Sequence, residues 1–177
     1  MLIEDFNRTI DTWINELEKY DLNQLLIKPS PNSWSLGQVY IHLITDTKFY
    51  ADQIRICISN NNNVDEEASP FAKTMFLNNQ FPDQMIEGAP SNSSLPQPDS
   101  KLQLLRSLMN LKGEMNEVGK LITQSIFKGK TKHPGLNYFN ATEWLQLTEM
   151  HFRHHLRQKK RIDDFLNHNL NSYPVDK

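Results

Sequence analysis

The chain has 177 residues with 19 basic and 21 acidic side chains, six histidines and one cysteine. A formal charge of -2 and a pI near 6.3 supply no basic footprint for nucleic acid, and a lone Cys57 excludes an intrachain disulfide or a cysteine-rich zinc module. No apolar run approaches the roughly 20 residues of a membrane span, and Met1-Leu2-Ile3-Glu4-Asp5 is not a secretory pattern, so a cytoplasmic protein without nucleic-acid or membrane partners is expected. With 10% aromatic residues and length enough to bury roughly 70% of its unfolded surface, the chain is expected to fold as one domain over 1–177.

Phe6, Ile10, Trp13, Ile14 and Leu17 recur every three or four positions, which predicts a helix over about 3–20. Ser35 and Gln38 form an S-x-x-Q capping box, which opens a second helix running through Val39, His42, Leu43, Phe49 and Ile54 to about residue 59. A polar stretch follows over 60–98, with the tract Asn60-Asn61-Asn62-Asn63, the acids Glu66 and Glu67, and Pro70, Pro82, Pro90, Pro96 and Pro98. Connections this long are usually functional or disordered. Phe71, Met75, Phe76 and Phe81 predict that its middle packs, as a short helix around 72–78. Both a lid over a site and a crossover strapped to the molecule fit that pattern, the strap being the simpler. A third helix is predicted from Asp99 or Ser100 to about residue 123 on Leu102, Leu105, Leu108, Met109 and Met115, with Gly113 and Gly119 each weakening it by about 1 kcal/mol. The fourth opens with Asn140 and Glu143, another capping box, and runs over about 141–166. No strand of comparable clarity is visible. Four amphipathic helices with one long crossover between the second and third predict an all-α four-helix bundle, in which sites are built from inward side chains.

The fourth helix has an unusual inner face. At roughly 100° per residue, Trp144, Leu147, Thr148, His155, Gln158, Ile162 and Phe165 fall within about 60° of His151. The stripe is apolar at both ends and polar in the middle, and burying two imidazoles and an amide is costly unless something satisfies them. His151 and His155, at i and i+4, are spaced to hold one ion from adjacent turns. They are equally compatible with packed, hydrogen-bonded histidines. His42 lies on the same face as Val39, Asp46 and Phe49 and is the candidate third donor. Three neutral imidazoles are the ligand set of a catalytic zinc site, and nickel or ferrous iron also accept them.

Trp34-Ser35 with His42 eight residues after the tryptophan, His133-Pro134-Gly135, Glu143-Trp144-Leu145, and the run from His151 through His155 to Gln158 together resemble the DinB/YfiT-like superfamily. The resemblance covers essentially the whole chain and includes Phe81-Pro82 and Ala89-Pro90. It implies a four-helix bundle with a metal triad of His42, His151 and His155, holding a divalent transition metal, zinc or nickel foremost. It further implies a metal-dependent hydrolase, or a transferase using a low-molecular-weight thiol in the manner of bacillithiol S-transferases and a mycothiol-dependent maleylpyruvate isomerase. A small-molecule substrate and a homodimer belong to the same implication. No acid or base beyond the triad matches, so no catalytic residue is assigned. Asp46, one turn beyond His42, and Gln158, one turn beyond His155, are candidates to orient the imidazoles from behind. Their plainer readings are a surface carboxylate and a buried amide bonded to backbone. A metal-binding protein without turnover and a metal-free bundle are the alternatives to an enzyme.

Other conspicuous residues have simpler expectations. His133 belongs to a turn or supports the site from outside, His154 lies on the rim, and His168 is solvated. Cys57, about 22 Å along the helix from His42, is a core residue. Arg157, Lys159, Lys160 and Arg161 form a basic run expected on a solvated outer face. Trp34 either staples the end of the bundle or walls a pocket, packing being the simpler.

Overall fold

A computed structural model describes residues 2–82 and 94–170, with side chains to 168. Four long helices form the body: α1 (Leu2–Leu17), α3 (Leu36–Cys57), α5 (Lys101–Gln124) and α6 (Ala141–Leu170), with short helices α2 (Leu22–Leu26) and α4 (Pro70–Asn78) in the connections. α3 packs along α6 and α5, and α1 lies against α5 and α6. The fold is all-α in its body, and periodicity signalled neither the short α2 nor one further element. That element is a two-stranded antiparallel hairpin, β1 (Lys130–His133) and β2 (Asn137–Asn140), placed just before α6.

Local chemistry sets the helix ends. Gln38 N–H donates to Ser35 Oγ and Ser35 N–H to Gln38 Oε1, both at 3.1 Å, which starts α3 where the capping box places it. Glu143 and Asn140 do the same for α6 at 2.9 and 2.8 Å. α1 stops three residues earlier than its periodicity suggests, because Glu18, Lys19 and Tyr20 turn back to Asn15, Glu16 and Leu17 in i to i−3 bonds. Asp21 then caps α2 through its own box with Gln24. Ser69 caps α4, Pro70 occupies its first turn, and Asn79 ends it in a left-handed conformation at φ 48°.

The core is aromatic at its centre. Trp13 sits edge-on to Tyr40 at 5.0 Å, donates Nε1–H to Phe152 O at 3.1 Å, and accepts Tyr40 O–H on its carbonyl at 2.9 Å. Close approach requires glycine at Gly37, as it does at Gly129 beside Asn60 O. A Cβ on Gly37 would lie 2.6 Å from Pro98 Cγ and 2.9 Å from Leu25 O, so only hydrogen lets α2 and Pro98 rest on the first turn of α3.

The crossover is strapped down at both described ends. Gln146 Nε2 donates to Phe76 O (2.9 Å) and Arg153 Nη2 to Asn79 O (2.8 Å), holding α4 to α6. On the far side Gln38 Nε2 donates to Leu95 O (2.6 Å) and Gln97 Nε2 to Leu26 O (3.0 Å). Of the 60–98 stretch to which the lid and strap readings apply, 83–93, with Ala89-Pro90, lies outside the described residues. The asparagine tract is a built loop: Asn60 O and Asn62 O accept from Gly129 N and Lys130 N, each at 2.9 Å.

Lys159 corrects the expectation of a solvated basic run. It is 4% exposed, and its Nζ donates to Glu16 Oε2 at 2.8 Å and to Tyr20 Oη and Asp163 Oδ2 at 2.7 Å. Three ammonium protons meet three acceptors, two of them more than a hundred residues away, which is why helical spacing alone put this lysine outside. Among the described residues no helix is long and apolar enough to cross a membrane.

Candidate metal centre

His42 on α3 and His151 and His155 on α6 meet in the interior, with exposures of 4%, 8% and 8%. One ligand atom from each lies within 4.8 Å of the other two. His42 Nε2 is 3.0 Å from His151 Nε2, and His155 Nε2 is 3.1 Å from the same atom. Ligands about 2.0–2.1 Å from a shared ion stand about 2.9 Å apart at a right angle and about 3.4 Å apart at a tetrahedral angle. Both contacts through His151 fall inside that interval.

Protons alone do not satisfy this arrangement. A neutral imidazole carries one N–H. Gln158 Oε1 lies 2.7 Å from His155 Nδ1, and a carbonyl oxygen only accepts, so the His155 proton sits on Nδ1 and its Nε2 is a lone pair. His151 Nε2 faces two other nitrogens and can donate one proton, so one contact is left between lone pairs or shared. His42 Nδ1 and His151 Nδ1 are buried without any hydrogen-bond partner. A cation in place of the proton would use all three Nε2 lone pairs at once, and the residues present fit it.

The electrostatics prepare the same donors. Burial pushes His42 down to about 4 and His155 to about 3, and holds His151 well below its ordinary value, with the neighbouring imidazoles adding to each shift. All three are neutral at pH 7. Asp46, expected behind His42, does lie beside its ring, with Oδ1 3.5 Å from Nδ1, too long for a hydrogen bond in this arrangement. Burial raises its carboxyl to about 6, partly offset by Tyr50. Gln158, for which a backbone bond was the plainer reading, bonds the imidazole directly.

Aromatic rings enclose the cluster, and their role was not legible in helical spacing. Trp34 packs, but against the site: its ring centroid is 4.9 Å from His42 and 6.5 Å from His155, nearly parallel to the latter. Tyr50 stands edge-on to His151 at 5.8 Å, and Phe81 comes within 6.4 Å of the same ring. His154 is on the rim, where its Nδ1 accepts from Arg157 Nη2 at 2.8 Å. His133 stays out of the cluster. It lies in β1 with its ring against Phe139 and Trp144, accepting Gly135 N–H on Nδ1 at 3.1 Å. Cys57 is buried at the other end of α3, its Sγ 3.5 Å from Phe139 O. His168 is exposed near the end of α6.

No curated protein and no solved structure matches the chain. A family model described as the DinB superfamily does, over residues 5–158, an interval that runs from the first turns of α1 to Gln158 and takes in all three imidazoles. The match spans most of the chain and agrees with the helical body, and the protein belongs to the DinB superfamily.

Proposed function

We propose that the protein is a metal-dependent enzyme in which His42, His151 and His155 hold one divalent transition metal, zinc or nickel, beside a pocket for a small-molecule substrate. The observation that carries this reading is the convergence of three buried imidazoles whose two close Nε2 contacts through His151 a single proton cannot serve. An ion held by three uncharged ligands would keep its full double charge, lower the pKa of a bound water toward about 7 and deprotonate a bound thiol. The chain's own groups prepare that event. Gln158 fixes the tautomer of His155, and Asp46 stands where it can take the N–H of His42. Trp34, Tyr50 and Phe81 keep the surroundings apolar, which strengthens every charge interaction inside.

Two reactions suit such a site: hydrolysis, and transfer of a low-molecular-weight thiol to an electrophile. The resemblance to thiol-using members puts the transferase first. It also supports a homodimer, which sedimentation equilibrium tests. The deciding experiment is metal analysis of protein purified without a histidine tag, beside a panel of thiols with electrophiles and a panel of esters and amides. One equivalent of transition metal, absent in His42→Ala and His151→Ala, is the expected result. Metal-free protein that also fails to take up added zinc or nickel would sink the proposal, and bound metal without turnover in either panel would leave a binding protein.

A further inference from the structure

A cavity lies away from the histidines. It has a volume of about 680 Å³ and is bounded by the last turn of α3, the asparagine loop, the end of α5 and the first turn of α6. Cys57 at its floor is fifteen residues beyond His42, about 22 Å along α3. The volume falls within the range of about 300–1,000 Å³ typical of small-molecule sites. Ile58, Val64, Ile122 and Phe127 give it an apolar wall, and Val64 and Phe127 are about two-fifths exposed.

The polar part of the lining has a single character. Asn61 Oδ1 is taken by Lys128 N–H at 2.8 Å, and Asn140 Oδ1 by Glu143 N–H at 2.9 Å. Each Oδ1 thereby has a backbone partner, while the two Nδ2 groups have none among the described residues. The Lys128 ammonium and the Thr142 hydroxyl also make no described bond. Lys130 spends its Nζ on Glu66 O. Two lysines line the cavity and no carboxylate does. Surplus donors and positive charge at the edge of an apolar chamber match one ligand chemistry: an apolar body carrying an acceptor-only anionic head.

We propose that this cavity is a second binding site, for an amphipathic monocarboxylate, with Lys128 and the side-chain amides of Asn61 and Asn140 receiving the carboxylate and Ile58, Val64, Ile122 and Phe127 the apolar body. The site is independent of the metal reading. It gives a role to the asparagine tract, whose backbone pairing with 129–130 shapes one wall.

Sodium decanoate, titrated below its micelle concentration into chelator-treated protein and followed by calorimetry and amide NMR shifts, tests it. Decanoate binds, and the shifts map to 57–64, 122–130 and 140–142. Lys128→Glu weakens it about tenfold, since an attraction becomes a repulsion of similar size, while decan-1-ol binds both proteins alike. Ile122→Trp, which fills the chamber, removes both ligands, and circular dichroism shows that it is folded. His151→Leu leaves decanoate affinity unchanged, separating this site from the histidine centre. The proposal is overturned if decanoate does not bind, if its shifts map to the histidines, if Lys128→Glu binds as the parent does, or if decyltrimethylammonium binds as tightly as decanoate.

Discussion

Replacing His151 by leucine separates a metal centre from a packed core histidine. In the chelated protein the change removes a buried Nδ1 that has no partner, relieving a cost of about 1–3 kcal/mol. Against that it removes the one proton-mediated bond that His151 Nε2 can make to His42 or His155, worth about 1 kcal/mol, and leaves their two Nε2 atoms facing each other. The opposing contributions are of one size, so apo stability should move by no more than about 1 kcal/mol. Truncation of a well-satisfied core group typically costs about 2–5 kcal/mol instead. Metal reverses the comparison. At a free concentration a hundred times Kd, zinc or nickel should stabilise the parent by about 2.7 kcal/mol. For a chain of this length that raises Tm by about 5–11 °C, and the leucine variant should show no rise. Paired thermal and urea melts with chelator, zinc and nickel make the measurement. A variant more than about 3 kcal/mol less stable without metal, beside a parent whose Tm ignores both metals, would refute the reasoning and return the histidines to the packing of the core.

Gln158→Leu should lower metal affinity about 10–100-fold, because it frees the His155 proton to move to Nε2; competition with a chromogenic chelator reads the affinity and nitrogen NMR the tautomer. Lys159→Met should destabilise the protein by about 2 kcal/mol, since Glu16 and Asp163 lose their shared cation but keep partial access to water, and urea melts at pH 7 measure it. His133 gives a pH signature. Burial lowers it to about 4 from 6.5, so in the folded state it stays neutral where the unfolded chain takes up a proton. Its contribution is therefore intact above pH 6.5 and is lost as pH falls toward 4. His133→Phe should accordingly make stability fall less steeply than the parent's across that window, and parallel curves in urea melts at stepped pH would contradict the burial argument.

Much of this architecture could be read in advance where the physics is local. Ser35 with Gln38 and Asn140 with Glu143 specify helix starts within four residues, and both boxes form with the bonds their spacing implies. The His151 and His155 pair is local too, one turn apart on a stripe that is apolar at both ends. His42 was reachable by combining the inner faces of two separate helices, which the packing of α3 on α6 brings together. Long-range closure was not readable. The hairpin has no alternating apolar pattern, and it is held by partners elsewhere: Trp144 Nε1 donates to Thr131 Oγ1 at 2.8 Å and Asn63 Nδ2 to Lys130 O at 3.1 Å. The five residues of α2 are too few to show a period, although the Asp21 and Gln24 box was in plain view. Trp34 sits just before a helix, where a staple is the common reading, and only the placement of α6 makes it a wall of the histidine site.

α6 carries two buried polar centres eight residues apart, and their difference bears on function. At Lys159 every ammonium proton has an acceptor, and the Tyr20 hydroxyl between them bonds on to Asp163. That centre is closed: it ties α1 to α6, asks for nothing from solution, and is explained by stability alone. At His151 the same helix buries a ring with one nitrogen unbonded and the other facing two more nitrogens that a single proton cannot serve. The Lys159 ammonium and the imidazoles are themselves buried alike, so their exposure does not distinguish them; the count of donors against acceptors does. A folded chain that satisfies one buried cluster fully can satisfy another, and a shortfall on rigid helices beside a well-packed core is the mark of a site completed by something the chain does not itself supply. Three lone pairs without a shared positive charge are the complement of a cation, which is what the proposed metal would supply.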